Sequence, residues 1–173
     1  IDSKSFSTLF NLGRIYQQKG DLEKALETFE KIFKLKNVNS LDLVFNEIGI
    51  TLQKKEDFNS AIKAYLKAIK LNKNLIQSYN NLGYAQFEIE DFDSAEISFL
   101  KAIKLSPQNA IARKNLSKIY LLKGNYKEGF KNYEYRYEQS NIRILPHASP
   151  NIPIWSGEDS ERPNKLLVVS EQG

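Results

Sequence analysis

Asparagine side chains recur at three matching places and are the residues in this sequence best suited to binding chemistry. Asn11, Asn81 and Asn115 each stand directly before a leucine. A primary amide offers both a donor and an acceptor, so a series of them can pair with successive peptide groups of an extended ligand without selecting its sequence. The alternative is that each asparagine forms hydrogen bonds within its own structural unit.

Catalytic and metal chemistry are not predicted. The chain has no Cys and a single His, which excludes disulfides and thiolate chemistry and argues against a structural zinc site. That residue, His147, lies among prolines and we assign it no role. We therefore expect no cofactor, no metal and no catalysis by this chain.

The net charge of +4 does not by itself indicate a nucleic-acid partner. Lysines lie near predicted helix ends, where they favour the negative pole of the helix dipole, and acids such as Glu23, Glu27 and Glu30 interrupt any basic stripe. No apolar run approaches the roughly 20 residues needed to span a bilayer. We expect no nucleic acid, no membrane insertion and a cytoplasmic location.

The elements that position these side chains form a repeat. A small residue recurs at Gly13, Gly49, Gly83 and Ser117, at intervals of 36, 34 and 34 residues. A second set follows each of them: Gly20-Asp21, Glu56-Asp57, Glu90-Asp91 and Gly124-Asn125, each leading into a new apolar pattern. Apolar residues fall at helical spacing in both halves of each copy, which predicts two amphipathic helices per unit.

These four copies resemble the tetratricopeptide repeat, whose period and helix-turn-helix pattern they share. The resemblance implies an all-α fold, a right-handed solenoid of four repeats within residues 1–139, at about 6–39, 42–75, 76–109 and 110–139. The predicted helices span 6–18, 22–35, 42–54, 58–71, 76–88, 92–105, 109–122 and 126–139. We expect Gly13, Gly49, Gly83 and Ser117 to face Ala25, Ala61, Ala95 and Gly129, and aromatic residues at 29, 65, 99 and 133 to fill space toward the next repeat.

Stacked units of this kind curve, and their first helices line a concave groove that receives a peptide or a helix. In this register the candidate groove residues are Phe10, Asn11, Arg14, Asn46, Ile50, Asn80, Asn81, Tyr84, Phe87, Lys114, Asn115 and Lys118. In this groove the cationic side chains outnumber the acidic ones, so we expect a neutral to mildly acidic peptide or protein partner. Phe10 and Arg14 replace the Lys and Asn with which some of these repeats clamp a chaperone's C-terminal carboxylate, so that ligand is not expected.

The last residues differ in composition. Four of the five prolines lie in 146–163, and proline cannot extend a helical stack. We expect 140–164 to be an irregular linker that packs on the last repeat, with Trp155 as an anchor. The Leu166–Val169 run predicts a short buried strand, so 165–173 is expected to be the beginning of an α/β domain. With no Met and an end at Gly173, the chain is expected to be part of a longer protein.

Residues 128–130, 133–136, 155–158 and 167–173 resemble bacterial tetratricopeptide proteins that continue into a heptosyltransferase-like glycosyltransferase domain. That resemblance implies a substrate-docking arm whose catalytic domain lies beyond Gly173. Three functions thus stay open: a non-enzymatic module that binds a peptide or protein in its groove, a docking arm of a larger glycosyltransferase, and a scaffold that self-associates weakly through the ends of the solenoid or the terminal strand.

Overall fold

The computed structural model describes residues 3–36 and 38–139, which form eight helices and no strand. The helices are α1 (Ser3–Lys19), α2 (Leu22–Ile32), α3 (Leu41–Lys54), α4 (Phe58–Leu71), α5 (Ile76–Glu88), α6 (Phe92–Leu105), α7 (Ala110–Leu122) and α8 (Tyr126–Gln139). We call α1, α3, α5 and α7 the first helices and the others the second helices. The all-α repeat fold is confirmed, and the linker and strand predicted for 140–173 lie outside the described residues.

Six predicted helices match the structure within one residue at each end, and four of them match exactly in bounds, whereas α2 is shorter than expected. The helix ends at Ile32 instead of residue 35. The amides of Phe33, Lys34 and Leu35 donate to the carbonyls of Glu30, Lys31 and Ile32 over 3.1, 3.2 and 3.0 Å. These bonds connect residues three apart, so the last turn tightens and the chain leaves the α-helix before the longer first loop.

Each turn between the two helices of a repeat uses a left-handed residue. Gly20, Glu56, Glu90 and Gly124 have φ of 84°, 62°, 61° and 75°. An Asp or Asn follows each of these residues, and this sequence pattern predicts a side-chain cap on the second helix. Asp57 and Asp91 form this cap, accepting from the amides of Ser60 and Ser94 over 3.1 and 3.2 Å. The prediction is wrong for Asp21, which forms no such bond and lies 3.6 Å from the Lys24 ammonium.

An aromatic ring covers the small residue in the first three repeats. A Cβ atom built on Gly13, Gly49 or Gly83 would lie 2.5, 2.4 or 2.8 Å from a ring carbon of Phe29, Tyr65 or Phe99. The expectation that these glycines face an alanine is therefore wrong, because the nearest side chain to each glycine is the aromatic ring. Glycine is required because the face of a ring, sixteen residues later, lies directly on the backbone of the first helix.

The same rings join one repeat to the next. Ala95, Phe99 and Ala102 of α6 form one buried cluster with Ala112, Leu116 and Ile119 of α7. Phe29 of α2 is clustered with Val44 of α3, and Tyr65 of α4 with Leu82 and Ala85 of α5. We call each contact between a second helix and the following first helix a junction. The core of the protein is thus divided among three junctions.

Neighbouring repeats lie closer together on the side of the first helices. Consecutive first helices approach within 8 Å between Cα atoms, in the pairs α1 with α3, α3 with α5 and α5 with α7, whereas no two of the described second helices do. Closer spacing on one side makes that side concave. The first helices therefore line the inner face, as expected from the sequence.

Replacing Gly83 by Ala tests the ring contact. Its new Cβ would meet the Phe99 ring at 2.8 Å, and overpacking of this kind costs about 1–3 kcal/mol. This exceeds the roughly 1 kcal/mol that alanine gains in helix propensity. We expect a lower urea midpoint for Gly83→Ala and a smaller loss when Phe99→Leu is added than the sum of the single losses.

The matched control is Ser117→Ala, at the position of repeat four that already has a Cβ. Its effect should be smaller than that of Gly83→Ala. An unchanged midpoint for Gly83→Ala, or strict additivity with Phe99→Leu, would show that the ring does not require the glycine.

Candidate functional site

The concave face consists of one row of side chains from each first helix, at spacing i, i+4, i+7 and i+11, which places them on one side of a helix. We call these the groove rows. They are Ser7, Asn11, Arg14 and Gln18 on α1; Leu43, Glu47, Ile50 and Lys54 on α3; Gln77, Asn81, Tyr84 and Glu88 on α5; and Ile111, Asn115, Lys118 and Leu122 on α7. Every member is exposed or half-buried.

The predicted groove residues occupy this face only in part. Asn11, Arg14, Ile50, Asn81, Tyr84, Asn115 and Lys118 belong to the groove rows, and Lys114 is exposed beside them. Phe10 instead packs on Phe6 and Phe29, with ring centroids 5.6 and 6.1 Å apart. Phe87 packs edge-on against Phe92 at 5.4 Å. These two rings lie toward the second helix of their own repeat, about 100° around the first helix from the groove row.

Asn46 and Asn80 are engaged between repeats. Asn46 is buried, and its Oδ1 atom accepts from Ser78 Oγ at 2.8 Å and from Asn81 Nδ2 at 3.3 Å. Asn80 Oδ1 accepts from Asn109 Nδ2 at 3.2 Å. The Asn46 amide therefore bonds to the next repeat and the Asn80 amide to the residue that caps α7, a third arrangement beside the ligand ladder and the bonds within one helical unit. Asn81 still has its own Oδ1 atom as an acceptor for a ligand.

Glu47 interrupts the asparagine series and lies within a cluster of polar groups at the first junction. Burial raises the pKa of its carboxyl, and Arg14, Gln17 and Lys54 oppose part of that rise. The buried Gln17 donates through Nε2 to the Glu47 carbonyl oxygen at 3.2 Å and to Thr51 Oγ1 at 2.9 Å. The Lys54 ammonium donates to the Gln17 carbonyl oxygen at 3.2 Å. One half-buried carboxylate thus lies within electrostatic range of two groove cations at this end.

The middle of the groove is more apolar. Ile50 is half-buried, and Tyr84 and Leu43 are 36% and 37% exposed. Tyr84 bonds to the Glu88 carboxylate through its hydroxyl group, which raises the pKa of the tyrosine. The Tyr84 side chain is therefore held along its helix with part of the ring open to a ligand.

Groove residues that the sequence analysis missed include Ser7, Gln18, Leu43, Gln77, Ile111 and Leu122. The repeat period could have predicted these residues, because each lies one helical turn before or after another member of its groove row. Among residues 3–36 and 38–139, no group of three or more His, Cys, Asp or Glu side chains could hold a metal ion. Within the same described ranges, no helix combines the length and apolar character required to cross a membrane.

Family models match most of this helical region. A tetratricopeptide repeat model matches residues 6–39 and 76–109, and a model described as TPR repeat matches residues 49–89, together more than half of the chain. The chain is a tetratricopeptide-repeat protein. The sequence-based prediction of this family is therefore confirmed.

One curated relative is the TPR repeat-containing protein MJ1428 of Methanocaldococcus jannaschii. It is 30% identical over 93 residues, which covers 45% of this chain and 16% of the relative. The aligned part therefore represents about a sixth of the relative's length, and this match describes the repeats alone.

Solved tetratricopeptide structures share the fold. A crystal structure of MamA has a TM-score of 0.69 at 25% identity, covering 76% of each chain. YrrB, described as a TPR protein with an unusual peptide-binding site, has a TM-score of 0.67 at 22% identity over 83% of this chain and 73% of its own. The first TPR of Spaghetti (RPAP3), bound to the HSP90 peptide SRMEEVD, has a TM-score of 0.66 at 20% identity over 72% and 97%. These matches give no support to the glycosyltransferase resemblance.

Replacing Glu47 by Gln tests the burial of the carboxylate. In the folded protein the pKa of the Glu47 carboxyl is raised above the ordinary 4.5. As the pH rises through that value, the folded state therefore binds more protons than the unfolded state. Ionisation of Glu47 therefore removes stability as the pH increases, whereas glutamine cannot ionise. We expect Glu47→Gln to gain urea stability relative to the parent between about pH 4 and pH 7.

Glu88→Gln, which removes an exposed carboxylate from the same groove, controls for the loss of one negative charge. A Glu47→Gln protein whose stability relative to the parent falls from acid to neutral pH would contradict the assignment of a desolvated carboxylate.

Proposed function

We propose that this chain is a non-catalytic module that binds an extended peptide segment in the groove of its first helices. The ligand that fits best has acidic residues near its two ends and an apolar residue at its centre. The observation that carries the proposal is the distribution of groove chemistry: cations at both ends and apolar side chains between them.

Both ends of the groove attract negative charge. Arg14 and Lys54 lie at one end, and exposed Lys114 and Lys118 lie on α7 at the other. Glu47 neutralises part of the first group, so the α7 end presents the less compensated charge. Cations on an open surface steer an acidic segment with modest, salt-dependent affinity.

The length of the ligand follows from the spacing of the helices. Packed helices lie about 8–10 Å apart, so the three steps from α1 to α7 span roughly 24–30 Å. An extended chain rises about 3.3 Å per residue, and a segment of about eight or nine residues therefore reaches both ends. Its central side chain would meet Ile50 and Tyr84, while Asn81 can accept from a backbone amide.

Two structural neighbours are described with peptides, YrrB by its unusual binding site and RPAP3 by its bound HSP90 peptide. They support a peptide as the general class of ligand. A chaperone's C-terminal carboxylate is not the expected ligand, because Phe10 packs into the core of repeat one and Arg14 approaches Glu47.

The test uses a fluorescent nine-residue peptide with two acidic residues at each end and leucine at its centre. Lys114→Glu together with Lys118→Glu should weaken binding at least roughly tenfold at low salt, because two attractive charges become repulsive. Anisotropy titrations at two salt concentrations measure the effect. A peptide with lysine in place of each acid should bind no better than background.

The matched control is Lys101→Glu together with Lys104→Glu, which changes the net charge equally on exposed positions of α6. Its affinity for the peptide should equal that of the parent. Equal loss in both double variants would show that net charge, and not the groove, determines binding. Unchanged affinity in Lys114→Glu with Lys118→Glu would place the binding elsewhere.

The docking arm of a larger bacterial glycosyltransferase stays a prediction, as does the cytoplasmic location. The docking-arm prediction depends on residues 128–130 and 133–136, which lie in α8, and on residues 155–158 and 167–173, which lie outside the described part of the chain. The coding sequence after Gly173 tests it, since a glycine-rich loop followed by a helix supports a nucleotide-binding α/β domain and an immediate stop codon contradicts it.

A further inference from the structure

The second helices carry a row of exposed side chains on the side that faces away from the solenoid. Members of a row stand at spacing i, i+3, i+4 and i+7, which places them on one side of a helix. We call these the outer rows. The two middle ones are Lys63, Leu66, Lys67 and Lys70 on α4, and Ile97, Leu100, Lys101 and Lys104 on α6, all of them exposed. They lie opposite the buried face of each helix, which is Ala61, Ala64, Tyr65 and Ala68 on α4 and Ala95, Ser98, Phe99 and Ala102 on α6.

The two middle outer rows consist of lysine and aliphatic residues alone, and no member is acidic. Within residues 3–36 and 38–139, no ion pair involves any of their lysines. Lys67 lies over the Phe45 ring at 5.4 Å, and Lys63 exerts a weak attraction on Asp57, the cap of α4. Asp93 at the beginning of α6 is compensated by the Lys123 ammonium, 2.6 Å away. The two rows therefore present positive charge that acids of the described chain neutralise only slightly.

Three aliphatic side chains stand among these lysines without being buried. Leu66, Ile97 and Leu100 are 49%, 69% and 44% exposed. The repeats do not need them for packing, because the opposite sides of α4 and α6 already fill the junctions. A surface that mixes lysine with large aliphatic residues suits the boundary between water and hydrocarbon. There the aliphatic side chain is buried, while the flexible lysine stem keeps its ammonium among polar groups.

The place of the two rows on the curve of the solenoid favours a flat partner. α4 and α6 are the middle two of the four described second helices, so on the convex side they project furthest and meet a plane first. The outer rows at the two ends have mixed charge, with Glu27 and Glu30 on α2 and Glu134 on α8, all exposed. A polymer that followed the curve would also meet these acids, whereas a plane would contact mainly the acid-free rows.

The apolar members of the rows distinguish a lipid surface from a nucleic acid. Single-stranded nucleic acids bind through bases that stack on aromatic rings, and no side chain of the two middle outer rows is aromatic. Lysine attracts phosphate in either partner. Leucine and isoleucine, however, gain free energy only where apolar surface is removed from water, as it is among acyl chains.

We propose that the outer rows of α4 and α6 bind the surface of an anionic phospholipid bilayer. The lysines contact the anionic headgroups, and Leu66, Ile97 and Leu100 enter the boundary between headgroups and acyl chains. The association is peripheral and requires no helix to cross the bilayer. The groove rows lie on the opposite side of the solenoid and stay open, so a peptide in the groove is held at the membrane surface.

The test measures co-sedimentation of the full chain with vesicles of phosphatidylcholine that contain about one-third phosphatidylserine. We expect saturable binding that weakens as salt is added, and only background binding to vesicles of phosphatidylcholine alone. Lys101→Glu together with Lys104→Glu should weaken binding at least roughly tenfold, since each lysine near an anionic surface strengthens binding roughly fivefold. No binding to the anionic vesicles, or equal binding to both kinds of vesicle, would overturn the proposal.

The matched control is Lys114→Glu together with Lys118→Glu, which makes the same change in net charge on the groove side and should leave vesicle binding unchanged. The two double variants should therefore have opposite effects on vesicles and on the groove peptide, so that failure of one proposal is distinguished from failure of the other. Equal losses of vesicle binding would show that net charge alone determines it. Unchanged vesicle binding by the Lys101→Glu, Lys104→Glu protein would place the lipid elsewhere, and either result would overturn the proposal.

Ile97→Gln together with Leu100→Gln separates insertion from charge attraction. We expect vesicle binding at least roughly fivefold weaker, with an unchanged melting temperature because both side chains are already exposed. The matched control is Ile111→Gln together with Leu122→Gln, at groove-row positions that are 64% and 63% exposed, and it should bind vesicles as the parent does. Unchanged vesicle binding by the Ile97→Gln, Leu100→Gln protein would contradict insertion and overturn the proposal.

A fluorescent single-stranded oligonucleotide tests the other polyanion. We expect anisotropy titrations to show weaker binding to the oligonucleotide than to the anionic vesicles. Tighter binding to the oligonucleotide that Lys101→Glu with Lys104→Glu abolishes would show that the outer rows serve a nucleic acid, and would overturn the lipid assignment.

Discussion

The constraint on which the structure depends is the contact of an aromatic ring with a glycine backbone in the first three repeats. Phe29, Tyr65 and Phe99 lie so close to Gly13, Gly49 and Gly83 that no Cβ atom fits between them. The same rings belong to the clusters that bind the following first helix. One interaction therefore closes the repeat and positions the next one, which makes the orientation of every groove row a consequence of local packing.

Each first helix divides its circumference among three tasks. One face packs on the ring of its own repeat, a second face of α3, α5 and α7 packs on the preceding second helix, and the groove row lies on the concave side. Adjacent residues can thus have unrelated roles: Asn46 is a buried connector between repeats, whereas its neighbour Glu47 belongs to the groove. The buried polar bonds of Gln17, Thr51 and Asn46 lie where two first helices approach, so hydrogen bonding accompanies the close spacing that makes the face concave.

The repeat period was sufficient to predict the family, the number of helices and most of their bounds, because those features depend on apolar periodicity and turn residues. It was not sufficient for the groove. Phe10 and Phe87 each stand one residue before a member of a groove row, and both rings pack toward the second helix, since large apolar side chains gain more from burial than from the groove surface. Asn46 could not be assigned from sequence either, because its partner Ser78 lies 32 residues away. The early end of α2 escaped prediction because its last turn changes its hydrogen-bond spacing without any proline or glycine to mark the change.

The central claim is that the ligand face is made of the first helices and that the second helices provide support. An amide NMR titration of the chain with the acidic nine-residue peptide tests it directly. The account predicts that the largest shifts fall on Asn81, Tyr84 and Lys118, with little change at Leu66, Ile97 and Lys101 on α4 and α6. Shifts concentrated on Leu66, Ile97 and Lys101 would contradict it, because the peptide would then bind the convex face.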